Sequence, residues 1–373
     1  MAVSPLQSNK ISVMKILVIN SKGYWKNGWM TTPAYQKIVL DLLIESNLKV
    51  EAVEVSNEVQ LNNILANTTT QTLVWANAYW VDTKNGKPQN LIKAIEAYNL
   101  PLIGSNSKTL LSLLEKDYCQ SQLAAANIPI PPHIIILQHD INRLEAILVQ
   151  SELLFPLVLK PTKEARSSGV TLVHDLDTAL NKGKEILEKY PQGNLIIEAF
   201  LPSDDITCGV IRLGDEEIIM PSYNVIRGMD CTKEVFSEHH YALPPGSESQ
   251  TSVEDTVILK QLKNYVPIIS DIFNIQTVTR VDGRLDQNQS VNFFDINGLP
   301  GLNYPKSALI KQCFIHFPNY EPMYLFRCLI HTIIMDNLLK YNIAIPHSFL
   351  KHNLFNLKSE SIVKVKSYFK SRI

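Results

Sequence analysis

Two short runs of β-branched and aromatic residues, 277–281 and 291–296, are separated by a polar turn. Runs of this length and composition are typical of neighbouring antiparallel strands rather than of a helix. A flexible Gly-Leu-Pro-Gly turn, 298–301, follows the second run directly. The pattern therefore restricts this part of the chain to a β-hairpin that ends in a tight turn.

Polar side chains mark the ends of both predicted strands. Asp282 follows the first run, and Asp295 and Asn297 share a face of the second because alternate residues of a strand point the same way. If the strands pair, three oxygen ligands meet beside Arg280, and such ligands suit Mg²⁺. Two solvent-facing acids are the alternative, but an unpaired charge in the apolar run around Asp295 is costly. We therefore predict a metal site.

Length and composition bound the possible classes of protein. A chain of 373 residues with 45% hydrophobic and 19% charged residues predicts two or three folded domains. The net charge of −1 argues against nucleic-acid binding. Five dispersed cysteines without a C-x-x-C pair indicate reduced thiols rather than disulfides or a zinc site. The sequence shows no signal peptide and no apolar stretch of about 18 residues, so we expect a cytoplasmic protein without membrane contact.

Strands alternate with helices along the first hundred residues. Strands are predicted at 15–20, 49–55, 72–76 and 101–103, with a helix over 33–46. This alternation predicts an α/β domain with a parallel sheet. A helix over 107–126 precedes a proline-rich boundary, and two further blocks follow it. The predicted domains are 13–106, 107–203 and 204–350, followed by a basic tail over 351–373.

Two stretches of the second block have features of a nucleotide site. The apolar strand that ends in Lys160 precedes a Ser-Ser-Gly loop, 167–169, whose backbone amides could surround phosphate oxygens. A surface hairpin explains the loop equally well but leaves Lys160 without an anion. The run 195–202, Leu-Ile-Ile-Glu-Ala-Phe-Leu-Pro, could meet an adenine edge, although an ordinary strand end is the simpler alternative. Lys116 on the preceding helix could equally be a solvated lysine.

In this order, the motifs resemble those of the ATP-grasp ligases, and within them the D-alanine–D-alanine ligase group. The resemblance covers roughly residues 100–310 and rests on five spaced motifs: Gly-Ser with a helical lysine, strand-Lys-Pro with Ser-Ser-Gly, Ile-Ile-Glu-Ala-Phe, R-x-D and D-x-N-x-x-P-G. It implies an ATP-grasp fold, in which an N-terminal parallel α/β domain is followed by central and C-terminal α+β domains that enclose ATP.

The resemblance also implies a role for each motif residue. ATP phosphates would be held by Lys116, Lys160 and the loop of Arg166, Ser167, Ser168 and Gly169. The adenine would lie against Glu198, Ala199, Phe200 and Leu201, and the ribose against Asp205. Two Mg²⁺ ions, or Mn²⁺ in their place, would bind Asp282, Asp295 and Asn297, while Arg280 and the Gly301 amide would stabilise an oxyanion.

The chain differs from the group in the segments expected to bind the first and the second substrate. The segment 21–30 lacks the glutamate that grips D-alanine and instead supplies Tyr24, Trp25, Lys26 and Trp29. These residues suit a larger, flatter, anionic substrate, although an aromatic core accounts for about half of them equally well. The group's lid is replaced by 221–245. The carboxylate of the second substrate would be bound by Lys306 or Ser307.

These departures most resemble the mycosporine-glycine ligase branch, which joins serine, threonine or another amino acid to a cyclohexenone acceptor. The implied activity is an ATP-dependent, ADP-forming carbon–nitrogen ligase acting on small molecules, with a homodimer as a possible assembly. Two alternatives stay open: a D-alanine–D-alanine or other dipeptide ligase, and a non-catalytic nucleotide-binding module.

Overall fold

The computed structural model describes residues 15–238, 240, 243–244, 247–357 and 362–363. The chain divides into two compact units between Ile103 and Gly104. The predicted subdivision of the second unit at 203/204 stays a prediction. Most of the predicted basic tail, and the lid residues His239 and Tyr241, lie outside the described residues. Within the described residues, no helix is long and apolar enough to cross a membrane.

The first unit is built on a parallel three-stranded sheet in the order β2-β1-β3. Its strands are β1 (Lys15–Ser21), β2 (Lys49–Val55) and β3 (Thr72–Ala76), with a small hairpin of β4 (Trp80–Val81) and β5 (Gln89–Asn90). Its helices are α1 (Pro33–Glu45), α2 (Glu58–Ala66) and α3 (Leu91–Ala97). The predicted parallel α/β unit is confirmed, except that 101–103 contributes only a single bridge, Leu102 to Val74, instead of a strand.

Buried amide side chains fix the carboxyl ends of β1 and β3. Asn77 Nδ2 donates to Asn20 Oδ1 and to the carbonyl of Met30, both at 2.9 Å. Gln36 Nε2 donates to the same Asn20 oxygen at 2.7 Å. These bonds satisfy polar groups that are otherwise costly to bury. They also attach the segment after β1, which contains Gly28, to the end of β3.

The second unit begins with two helices and an antiparallel sheet in the order β6-β9-β7-β8. The strands are β6 (His133–Ile136), β7 (Leu157–Pro161), β8 (Thr171–Val173) and β9 (Leu195–Ala199). The helices are α4 (Ser107–Leu113), α5 (Lys116–Ala125), α6 (Leu144–Ser151) and α7 (Leu176–Lys189). The single helix predicted over 107–126 is wrong: the Lys116 N–H bonds to the carbonyl of Thr162 at 2.9 Å, and a new helix starts there.

A larger antiparallel sheet carries the rest of the unit, in the order β12-β11-β10-β13-β14 with β15 paired to β11. Its strands are β10 (Asp205–Leu213), β11 (Glu216–Ile226), β12 (Glu248–Ser252), β13 (Val278–Leu285), β14 (Val291–Asn297) and β15 (Ile362–Val363). The helices are α8 (Thr256–Ile272), α9 (Ala308–His316), α10 (Pro322–Lys340) and α11 (His347–Lys351). Residues 221–226, the start of the segment in place of the group's lid, extend β11 and pair with β10 and β12, and a lid role for 221–245 stays a prediction.

A β-bulge in β14 separates core residues from site residues. The register shifts so that Asp282 faces Asp295 while Gly283 faces Phe293, which leaves Phe294 as the extra residue. Phe293 therefore joins Val281 and Ile296 in the core beneath α8. Asp295 points to the other face, although residues 293 and 295 of a regular strand would share one. The bulge thus allows one apolar strand to carry an acid on its open side.

Candidate active site

The predicted hairpin is confirmed, and it brings the expected metal ligands together. In the β13–β14 ladder Asp282 lies directly opposite Asp295, and Arg280 lies directly opposite Asn297. Directly opposed residues point to the same face of an antiparallel sheet. The four side chains therefore share the face that is turned away from the core.

Asp282 is held by three neighbours. Arg280 donates to both of its oxygens, from Nε at 3.0 Å and from Nη2 at 2.9 Å. Thr207 on β10 donates its hydroxyl to Oδ1 at 2.7 Å, and Asn297 Nδ2 donates to Oδ2 at 3.0 Å. The paired, two-bond contact fixes the guanidinium as well as the carboxylate. The sequence analysis did not predict a role for Thr207. Its hydroxyl in an otherwise apolar strand could have indicated that it bonds to a polar group of the site.

Asp295 lies among cations. Lys116 Nζ is 3.1 Å from its Oδ1, and the Asn297 amide is 3.4 Å from its Oδ2. Burial alone would raise the pKa of Asp295, but Lys116, Lys160 and Arg280 outweigh it, and the net pKa is lowered from the ordinary value. The carboxylate is therefore ionised at neutral pH and available as a ligand.

These residues fit a hard cation such as Mg²⁺. Among the described residues, no group of three or more His, Cys, Asp or Glu side chains is arranged to hold a metal ion. The set here is two carboxylates and one amide, all oxygen donors, which matches Mg²⁺ bound together with phosphate oxygens and excludes a zinc-type site. The Asn297 amide is placed with its nitrogen toward the acids, and a flip of the amide presents its oxygen.

Lys160 forms a buried ion pair beside the acids. Its Nζ lies 2.7 Å from Glu198 Oε1, and each side chain is only 5% exposed. Gln120 on α5 donates to the same oxygen, and Lys160 also donates to the carbonyl of Phe294 at 3.3 Å. Phe294 is the bulged residue of β14, so the bulge brings this carbonyl to Lys160. The carboxylate of Glu198, which was expected near adenine, thus forms an ion pair with Lys160. The contribution of Gln120 was not predicted from the sequence.

The predicted phosphate loop has an unusual backbone. Arg166 and Ser167 are consecutive residues with positive φ, 57° and 54°, and Gly169 follows at 73°. Left-handed conformations of this kind cost free energy outside glycine and cluster in ligand-binding turns. Lys116 Nζ donates to the carbonyl of Glu164 at 2.7 Å, which links the loop to the acid site. Ser168 lies within the same half-buried turn.

The 199–205 segment follows β9 and meets an arginine that the sequence analysis overlooked. Ala199 and Phe200 are half-buried and Leu201 is buried. Asp205 pairs with Arg284, whose Nη1 donates to the carbonyl of Leu201 at 3.0 Å. Arg280, Asp282 and Arg284 alternate along β13, and this two-residue spacing was the available signal.

The turn after β14 places Gly301 beside Ser307. A Cβ on Gly301 would lie 2.8 Å from Ser307 Oγ, so only glycine fits there without a shift. Ser307 accepts a hydrogen bond from the Asn303 N–H at 2.9 Å and precedes the first turn of α9. Lys306 is exposed. Lys306 and Ser307 were the two candidates for binding a substrate carboxylate, and only the side chain of Ser307 lies next to Gly301.

The four residues expected at the acceptor pocket lie in the first unit and differ in exposure. Tyr24 donates to Asp82 at 2.7 Å and Trp25 donates to Glu54 at 2.6 Å, both at the half-buried surface, while Lys26 is exposed. Trp29 is 1% exposed and packs edge-on against Trp75. The expectation for Trp29 is corrected accordingly: its indole is a core side chain of the first unit.

Sequence comparison identifies one family. The model of the D-ala D-ala ligase C-terminus matches residues 122–313, which is over half of the chain. A D-alanine–D-alanine ligase of Buchnera aphidicola is 23% identical over 59% of this chain and 70% of its own length. Another, from Proteus mirabilis, is 25% identical over 60% of each chain. A third, from Phocaeicola vulgatus, is 28% identical but is matched over only 44% of its length.

Comparison with solved structures supports the fold. A D-alanine–D-alanine ligase from Bacillus anthracis superposes with a TM-score of 0.64 at 18% identity, over 88% of this chain and 99% of that one. The VanG D-Ala:D-Ser ligase from Enterococcus faecalis gives 0.60 at 16% identity, over 86% of this chain and 99% of that one.

The predicted ATP-grasp fold is therefore confirmed. Members of the matched family are ATP- and Mg²⁺-dependent ligases that form a carbon–nitrogen bond and release ADP, as the sequence motifs led us to expect. This chain belongs to the D-alanine–D-alanine ligase family.

Proposed function

We propose that this protein uses ATP and Mg²⁺ to phosphorylate an acidic oxygen of an acceptor and then joins the acceptor to an amino acid. The observation that carries this proposal is the facing pair Asp282 and Asp295, with Asn297 beside them and Lys116 against Asp295. Phosphoryl transfer of this kind needs positioned cations and metal ligands more than it needs a covalent protein nucleophile.

Each side chain then has a specific task. Lys116 and Lys160 bind the phosphates together with the amides of the loop Arg166 to Gly169, and Asp205 accepts from the ribose. Asp282, Asp295 and Asn297 hold two Mg²⁺ ions, which supply charge neutralisation at the phosphates. Arg280, fixed by Asp282, and the Gly301 N–H stabilise negative charge on the acceptor oxygen. The segment 199–201, with the backbone of Glu198, lines the adenine pocket.

The reaction proceeds in two balanced steps. The acceptor oxygen attacks the γ-phosphorus, the bond to the β-phosphate oxygen breaks, and ADP leaves. The amine of the amino acid then attacks the activated carbon, inorganic phosphate leaves with the original oxygen, and the proton released by the amine nitrogen goes to the departing phosphate. Ser307, beside Gly301, binds the carboxylate of that amino acid with N–H groups of the first turn of α9, and Lys306 provides a nearby positive charge.

For the acceptor we propose mycosporine-glycine, whose cyclohexenone oxygen is a vinylogous carboxylate, with serine or threonine as the amino acid. Support comes from the segment 21–30, which has no acid for an ammonium group but presents Tyr24, Trp25 and Lys26 outside the core. An aromatic and cationic surface suits a flat anionic ring. The second candidate is D-alanine–D-alanine ligation, which the names of the relatives favour.

ADP release separates the two substrates. The enzyme is assayed with D-alanine alone, with mycosporine-glycine plus serine, and with serine alone, and products are resolved by mass. We expect turnover only when mycosporine-glycine is present. Sustained ADP release and a dipeptide product with D-alanine alone would refute the acceptor assignment and leave the ligase chemistry intact.

Asp295→Asn tests the metal site and the non-catalytic alternative together. Loss of one carboxylate should lower kcat at least a hundredfold and raise the Mg²⁺ concentration needed for half-maximal rate. Asp286→Asn is the matched control, because Asp286 accepts turn N–H bonds in the same hairpin and lies outside the site. If Asp295→Asn retained full ligation, the metal assignment would be wrong. Light scattering of the purified protein tests the proposed homodimer.

A further inference from the structure

Arg284 is a buried arginine on the open face of the larger sheet. It follows Asp282 by two residues on β13 and therefore shares its face. The residue is only 4% exposed. Because a guanidinium cannot lose its charge in a protein, a buried arginine must have its donors paired.

The guanidinium joins two separate chain segments. Its Nε donates to Asp205 Oδ1, and its Nη1 donates to the carbonyl of Leu201 at 3.0 Å. Nη1 also donates to the carbonyl of Cys231 at 3.3 Å, and Nη2 donates to that of Glu234 at 3.2 Å. The 200–205 turn and the 231–234 segment thus meet at one side chain, which also lies 5.4 Å from the centre of the Phe200 ring.

One carboxylate oxygen of Asp205 is available to accept a hydrogen bond from a ligand. Arg284 binds Oδ1, and no described residue donates to Oδ2. Asp205 lies two residues before Thr207 on β10, and Thr207 donates to Asp282. Two residues along a strand span about 7 Å, so the free oxygen of Asp205 lies within a nucleoside's length of the metal acids.

We propose that Arg284 is a positioning residue for the nucleotide: it orients Asp205 toward the ribose and makes the placement of the 231–234 segment depend on the same contact. This inference rests on the proposed ATP site and assigns a function to a residue outside the motifs. Only a planar, forked donor can hold a carboxylate and three carbonyls at once, so lysine cannot replace it fully.

Nucleotide binding without turnover tests the proposal. Equilibrium dissociation constants for Mg²⁺-ATP and Mg²⁺-2′,3′-dideoxy-ATP are measured by calorimetry on the full chain. Wild type should prefer ATP by on the order of tenfold, the usual value of hydrogen bonds to a charged acceptor. Asp205→Asn and Arg284→Met should reduce the preference below about threefold, with Arg284→Lys between them.

A matched control separates positioning from general stability. Arg212 on β10 is also held by a backbone carbonyl and acids, at Ile275, Asp271 and Glu217. Arg212→Met should lower stability and leave the preference for ribose hydroxyls unchanged. Hydrogen exchange of the 229–238 peptide supplies a second measurement: Mg²⁺-ADP should slow it in wild type and not in Arg284→Met.

The outcomes are distinguishable. If Asp205→Asn loses the preference while Arg284→Met and Arg284→Lys keep it, Arg284 does not position Asp205. If Arg284→Met fails to fold, an unchanged preference in Arg284→Lys overturns the inference. Wild-type binding without a ribose preference overturns it as well and leaves the ligase proposal standing. Absence of any nucleotide binding overturns both.

Discussion

The buried pair of Lys160 and Glu198 gives a quantitative test of the site. Replacing either residue leaves the other charge in a region where both side chains are 5% exposed. The variants are Glu198→Gln, which keeps the shape of the side chain, Lys160→Met, which keeps most of the stem, and the double variant.

The expected magnitude follows from distance and burial. At the 2.7 Å separation of the two charged atoms, the attraction is about 6 kcal/mol at an effective dielectric constant of 20. Relaxation of the surviving charge recovers part of this, and each single variant should lose about 3 to 5 kcal/mol of unfolding free energy. The double variant removes both charges, so it should lie within about 2 kcal/mol of wild type.

Urea unfolding followed by far-ultraviolet circular dichroism measures these changes. All four tryptophans lie in the first unit, so tryptophan fluorescence follows that unit separately. The matched control is Lys182→Met: Lys182 is also 2.7 Å from its partner, Glu185, but the two side chains are 46% and 63% exposed. An exposed pair of this kind should contribute less than about 1 kcal/mol.

Three results would contradict this reasoning. Single variants that lose no more than the Lys182→Met control would mean that burial does not amplify the contact. A double variant less stable than either single variant would mean that the charges contribute independently. A loss of stability detected only by tryptophan fluorescence would mean that the first unit is destabilised, although Lys160 and Glu198 lie in the second.

Further predictions concern groups away from the site. His331 is buried against Phe349, and burial lowers its pKa to about 4. Since the unfolded chain takes up this proton near pH 6.5, stability should fall as pH drops from 6.5 toward 4, by about 2 to 3 kcal/mol, and His331→Gln should flatten that part of a urea-unfolding pH series. The five cysteines are free and buried, and burial raises the pKa of the Cys119 thiol to about 12; a disulfide reagent at pH 8 should therefore react slowly until the protein is denatured, and rapid release of one thiol would contradict this. A Cβ on Gly28 would lie 2.0 Å from the carbonyl oxygen of Asn77. Gly28→Ala should therefore lower the unfolding midpoint of the first unit, followed by tryptophan fluorescence, more than the control Gly23→Ala does. At Gly23 only the positive φ is unfavourable for alanine, which costs about 1 kcal/mol.

Local patterns in the sequence were sufficient for much of the fold. The apolar runs of β1 and β3 predicted parallel strands because buried strands of this type are continuously hydrophobic, whereas β2 alternates with charged residues and is largely unburied. The β13–β14 hairpin followed from its two β-branched runs and its turn. The break before Lys116 was not predictable, because it depends on a hydrogen bond to Thr162, which is distant in sequence. The strands β10 to β12 were also missed; β10 and β11 form a local hairpin around Gly214-Asp215 whose turn signal was overlooked, whereas β12 pairs with β11 across a longer segment.

The chemistry of the candidate site was predictable in kind and not in detail. Residue types and motif order pointed to Asp282, Asp295 and Lys160. The sequence could not show that Lys160 pairs with Glu198, or that Arg284 holds Asp205, since both contacts join strands whose register is set by the folded sheet. Trp29 illustrates the opposite error: an aromatic residue near a strand end was assigned to a ligand but fills the core.

The extra residue at Phe294 serves the contact with Lys160 rather than the pairing of β14. Before the bulge the odd-numbered residues of β14, such as Phe293, point into the core, and after it the odd-numbered residues, such as Asp295, point to the site. Deleting Phe294 would restore regular alternation and leave both sets on their present sides, but it would remove the carbonyl to which Lys160 donates. The strand should therefore still pair after this deletion but lose a contact of Lys160, whereas the exposed turn at 287–289 can vary freely in length.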